Sequence, residues 1–256
     1  MSDLEVQPVA GAPAGPGLSE MQRVTSIFSA PSKTFEDIKR GNRSWWMPWV
    51  ILAIFGYLFF AVVSYKVGIQ TVVDNQMRMA GEKQQEQMAK APPEQREMTN
   101  KISLYVTEGV FIAGPVFVLL VAAVVSLVLW GTINFVFGGK ATFGGIFAVW
   151  FFANLPSIFK TLLGVLVLFA GSTPEAFNIK NFAPTNVAAF LPVMETNKAL
   201  YELANSLDIV TIWTLVLMGM GIAIVAGVKR SSGYIAVFGW WAIVVLIGVG
   251  VAALQS

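Results

Sequence analysis

Twenty-one consecutive residues, Trp45 to Tyr65, carry no charged side chain, and a helix of that length at 1.5 Å per residue covers the roughly 30 Å hydrocarbon core of a bilayer. Comparable runs recur at about 110–137, 143–170, 208–228 and 233–254. Backbone N–H and C=O groups in lipid must find partners within their own segment, so runs of this length fold as helices rather than open strands. The expected fold class is all-α: a polytopic membrane bundle of about five transmembrane helices with an extramembrane helical hairpin. Composition agrees, with 55% hydrophobic and 12% charged residues, against about a quarter charged in soluble domains.

The chain has neither Cys nor His, which excludes disulfides, thiolate nucleophiles, imidazole acid–base chemistry and Cys- or His-ligated zinc. The spans hold no paired acids. No catalytic residue, cofactor or metal ligand is assigned, and the chain reads as a non-enzyme. A formal net charge of +2 offers no footing for nucleic acid.

Residues 1–18 are rich in Pro, Gly and Ala without apolar periodicity, and are expected to be a disordered tail. Asp3, Glu5 and Glu20 interrupt any continuous apolar region, so membrane targeting is expected to rest on the first span. From 19 to 43 the pattern is amphipathic. Met21, Val24, Ile27 and Phe28 share one helical face, with Gln22, Arg23, Thr25 and Ser26 elsewhere. After Pro31, Ser32 is placed to cap a second turn with Phe35 and Ile38 on its apolar side and Lys33, Glu36, Asp37, Lys39 and Arg40 around them. This segment is expected to lie along the membrane surface, with Phe28, Pro31, Phe35 and Ile38 as candidate residues for docking to membrane or a partner. Trp45, Trp46 and Trp49, following Arg43, are candidate interfacial anchors.

The connection 66–109 carries six basic and six acidic residues among strong helix formers, and reads as two helices broken at Pro92-Pro93. The stretch 141–173 is too long for a simple span and too short for two with a loop. One long helix bent near Pro156 is the expected form, with two re-entrant half-helices as the alternative. Basic residues concentrate in 21–44, at Lys140 and at Lys229-Arg230. The positive-inside rule therefore places the N-terminus in the cytoplasm and, with five spans of a multi-pass cell-membrane protein, the C-terminus on the extracytoplasmic side.

Lys160 stands well inside an apolar run, and an intramembrane charge marks function unless it is neutralised. The bland alternative is that it snorkels, or pairs with Glu108 or Asp208. Asn134, Asn154 and Pro156 complete the intramembrane candidates, as cavity-lining groups or as helix–helix hydrogen bonders. Gly219, Ala223 and Gly227 repeat every four residues and allow close helix approach.

The run Ile27-Phe28-Ser29-Ala30-Pro31-Ser32-Lys33-Thr34-Phe35-Glu36-Asp37-Ile38, the tryptophan cluster, the Gly138-Gly139-Lys140 turn and Pro156 together resemble the Yip family, the Ypt/Rab-interacting membrane proteins, in its prokaryotic branch. The resemblance covers about residues 21–254. It implies a five-helix Yip domain with a cytoplasmic N-terminus, in a family whose eukaryotic members act in vesicle trafficking by binding small GTPases and one another. The long connection 66–109 departs from that pattern, and a GTPase partner is not carried over. The expected function is a membrane scaffold or adaptor in contact with the lipid bilayer, an unidentified protein partner or further copies of itself; the alternative is a transporter or channel for a small solute or lipid.

Overall fold

A computed structural model describes residues 17–254; the tail expected to be disordered falls, up to residue 16, outside the described residues. Two short helices open the chain. In α1 (Glu20–Ser29) the Ser19 side chain accepts from the Gln22 N–H while the Gln22 side chain accepts from the Ser19 N–H, a reciprocal cap. In α2 (Pro31–Lys39) proline occupies the first turn, where its missing N–H costs nothing.

Five helical segments are long and apolar enough to cross a membrane: α3 (Trp46–Lys66), Gly114–Val136, Phe143–Phe169, α11 (Ile209–Ala226) and α12 (Arg230–Leu254). The second comprises α7 (Gly114–Gly131) and a π-helical turn, Thr132–Val136. The third comprises α8 (Phe143–Ala153) and α9 (Ser157–Phe169), separated by a turn at 154–156. The interruption falls at Pro156 as expected, because proline has no N–H to donate to Phe152, and it divides the segment into two helices.

Between α3 and α7 lie three helices rather than the two expected: α4 (Ile69–Arg78), α5 (Glu82–Lys90) and α6 (Pro93–Ile112). Gly68, at φ +83°, turns the chain between α3 and α4, so the hairpin does not simply continue the first span. The second span also begins at Gly114 rather than Val110, since Pro115 cannot donate to Phe111 and the helix restarts after Ala113. The stretch 171–207 holds two 3₁₀ turns, Pro174–Ala176 and Val187–Phe190, then α10 (Lys198–Ser206). Its first 3₁₀ turn packs on α4 and α10 packs on α12, so that with α4–α6 it forms a cap on the bundle, whereas α1 and α2 pack on each other and on α8, with α2 also on α11.

The core has two parts. The larger packs Phe35 and Ile38 of α2 with Val149 and Phe152 of α8 and Met218 and Ile222 of α11. The smaller joins Phe59 and Val63 of α3 to Leu168, Val72 and Phe177 beneath the cap. Helices α11 and α12 approach closely: a Cβ on Gly233 would penetrate the Gly219 carbonyl and press on Ala223. Gly227 has a different duty from that of Gly219 and Ala223; at φ +68° it ends α11 in the left-handed conformation.

Candidate functional site

Three groups of polar residues stand out against the apolar bundle. The first lies under the α1–α2 hairpin. Arg23 is fully buried, its guanidinium 4.5 Å above the Phe152 ring. Its Nη1 and Nη2 donate to the Asn42 side chain (3.2 Å) and carbonyl (2.9 Å), and its Nε lies 3.4 Å from Asp37 Oδ2. Asp37, 3% exposed, also accepts from the Asn42 side chain and the Leu18 N–H. Burial pulls the Arg23 guanidinium below its usual value, and Glu20 and Asp37 oppose that fall.

The hairpin corrects two expectations. It packs into the bundle against α8 and α11 instead of lying along a surface, and Phe35 and Ile38, at 0% and 1% exposure, offer nothing to a partner. The reason is steric and electrostatic. Gly221 leaves a notch in which an added Cβ would sit 2.8 Å from the Phe35 ring, and Arg23 and Asp37 neutralise each other there rather than facing water. Of the docking candidates Phe28 remains exposed, touching Phe159 and Trp213 edge-on, and Pro31 is half-buried. Sequence reasoning missed Arg23 and Asp37 by assigning them to polar faces. The available signal was their phase: Arg23 stands one turn before Ile27, and Asp37 adjoins Ile38.

The second group surrounds Lys160. Its Nζ lies 2.9 Å from Asp208 Oδ2, and the Asp208 side chain is 2% exposed. Asp208 caps α11 by accepting from the Thr211 N–H at 2.9 Å, and accepts from the Thr185 hydroxyl at 2.5 Å. From there hydrogen bonds run outward through the cap: Asn186 pairs with Asp208 as an isolated bridge, the Asn186 amide donates to Asn181, and Asn181 donates to the Tyr201 hydroxyl. Asp208 was one of the two partners weighed for Lys160; Glu108 is not engaged with it. Asn154 donates to the Trp150 carbonyl at 2.8 Å, closing the end of α8, and Pro156 begins α9. Asn134 sits apart, clamping Ala141 through both its N–H and carbonyl at 2.9 Å.

The tryptophans divide their work. Trp45 stacks on Phe151 at 5.4 Å and Trp49 donates to the Pro115 carbonyl, so both hold helices together, while Trp46 is the one exposed outward.

The third group lines a cleft of about 560 Å³ in the cap, between α4–α6 on one side and the 178–205 stretch on the other, reaching Ala252 at the end of α12. Lys160 is not among its lining residues. Among the described residues, no three His, Cys, Asp or Glu side chains are grouped to hold a metal.

The sequence model of the Yip1 domain matches residues 25–252, nearly the whole chain. The chain belongs to the Yip1 domain family. No curated protein and no solved structure matches it. The Yip1 domain match begins inside α1, so the second half of α1 and all of α2, with Asp37, lie within it, while Arg23 falls just before it.

Proposed function

We propose that this Yip1 family member is a non-enzymatic membrane scaffold or adaptor, seated in the cell membrane with its N-terminus cytoplasmic, that organises membrane through protein partners or lipid. One observation carries the reading: each polar side chain flagged within the spans is engaged internally. Lys160 is neutralised by Asp208, and Asn134 and Asn154 bond to nearby backbone. A solute pathway needs polar groups that face a cavity, whereas buried paired charges and amides fix the register of a bundle. The adaptor's partner surface is then the exposed remainder of the hairpin, around Met21 and Phe28, and the cap.

Transport has one specific observation in its favour, since the Lys160–Asp208 pair lies close to the helix break at 154–156. Crosslinking in native membranes followed by mass spectrometry tests the scaffold reading. Reproducible protein or lipid adducts on Met21, Phe28 or the cap are expected. A solute flux into proteoliposomes that vanishes in the Lys160→Met, Asp208→Asn double variant would overturn it.

A further inference from the structure

The cap cleft holds an unusual set of uncommitted groups. Among the described residues, Arg78, Lys180 and Lys198 line it against one carboxylate, Glu202, and none of these four is in an ion pair there. Arg78 is aimed by hydrogen bonds from Nη2 to the Asn75 side chain and the Glu175 carbonyl, neutral acceptors that leave its charge uncompensated. Asn205 Oδ1, also in the lining, is buried without a hydrogen-bond partner, a state that is unfavourable unless a ligand or water donates to it.

The opposite wall supplies matching chemistry. Thr99, Ser103 and Thr107 of α6 recur every four residues and present hydroxyls from one helix face into the cleft. Met77, Met79 and Met88 add adaptable apolar surface. The roof is α5, whose side chains described from Gln84 to Lys90 are exposed except for half-buried Met88. It is tied down by Gln85 donating to the Arg78 and Ala80 carbonyls. The volume falls within the few hundred to about 1,000 Å³ of small-ligand sites. Ala252 in the lining sets the cleft at the end of a span, where lipid headgroups lie.

We propose that this cleft binds a phosphate-bearing polar headgroup: the phosphate is held by Lys180 and Lys198 with Arg78 behind, a hydroxyl of the headgroup donates to Asn205 Oδ1, and the methionines cover its apolar portion. The excess of cations selects an anion, and the orphan acceptor selects one that also carries a donor. A phosphatidylglycerol headgroup and a free glycerol phosphate share this chemistry. The site is independent of the scaffold reading, since a transporter with the same cap would bind the same group.

The test is native mass spectrometry of the full chain reconstituted with equal amounts of phosphatidylglycerol and phosphatidylcholine of identical chains, beside titration of delipidated protein with glycerol 3-phosphate. Retention of phosphatidylglycerol about tenfold over phosphatidylcholine identifies a lipid headgroup. Saturable binding of glycerol 3-phosphate without that preference identifies a soluble phosphate. Either supports the site, provided Lys180→Gln with Lys198→Gln removes the binding, Lys180→Arg with Lys198→Arg keeps it, and Asn205→Leu weakens it several-fold. Lys180 is exposed, so Lys180→Gln alone reads the same loss if the double variant fails to fold. Equal retention of both lipids with no glycerol 3-phosphate binding, or binding unchanged in a folded Lys180→Gln, Lys198→Gln variant, overturns the proposal.

Discussion

At the scale of single residues, the bundle depends on two buried ion pairs, and each is more costly to halve than to remove. Lys160→Met leaves Asp208 charged, 2% exposed and without its cation. Removing one partner of a buried pair costs about 3–5 kcal/mol, whereas replacing both can be nearly neutral. Lys160→Met should therefore lower the melting temperature sharply, and adding Asp208→Asn should recover most of the loss, because asparagine still accepts from the Thr211 N–H. A double-mutant cycle in detergent checks this, and additive effects would contradict it. Arg23 differs in having a second anion: Asp37→Leu leaves the fully buried guanidinium with Glu20 Oε1 at 3.4 Å, so its loss of stability should be the milder of the two. The sequence made Lys160 conspicuous by its isolation and narrowed its partner to Glu108 or Asp208, yet neither the choice between them nor the pairing of Arg23 with Asp37 was legible there. Asp208 is 48 residues from Lys160, and hydropathy along a chain holds no record of which helix ends meet.

At the scale of elements, the five spans were legible because each is a run of near-bilayer length with few charges, Lys160 being the one well inside, while their joints were not. The helix after Pro92-Pro93 was expected to end by residue 109, with the second span from about 110, whereas α6 runs to Ile112 and only the backbone bonding around Ala113 and Pro115 separates it from α7. The α1–α2 hairpin was recognised as helical and amphipathic, but an apolar face reads the same whether it meets lipid or protein. Its seat is the notch at Gly221, where Val149 Cγ1 and the Phe35 ring would lie 2.7–2.8 Å from an added Cβ. Filling the notch should expel the hairpin. Because the chain has no cysteine, Ile38→Cys is a clean reporter: it should resist a water-soluble maleimide in the native background and react at least tenfold faster when combined with Gly221→Leu. Phe35→Ala should cost about 3–5 kcal/mol, as other buried phenylalanine truncations do, measured by thermal unfolding in detergent. Unchanged stability would show that the hairpin does not dock.

At the scale of the whole molecule, the proposed topology sets the hairpin and the cap on opposite sides of the membrane, with the basic turns at Lys140 and Lys229-Arg230 on the hairpin's cytoplasmic side. Single cysteines at Ser231 and Gln87 should therefore label from opposite sides in sealed vesicles, Ser231→Cys from the cytoplasm; labelling of both from one side would refute the topology. Family membership and span number were legible over almost the whole chain. The cap cleft was not, since its two walls come from residues 73–107 and 178–252, distant segments that share no motif. The central claim of the proposed function is that the intramembrane charge pair is a structural, mutually neutralised pair and carries no solute. Crosslinking mass spectrometry in native membranes, comparing the native chain with the Lys160→Met, Asp208→Asn variant, tests it most directly. The account predicts the same partner and lipid adducts in both; loss of those adducts in a variant that still folds would contradict it.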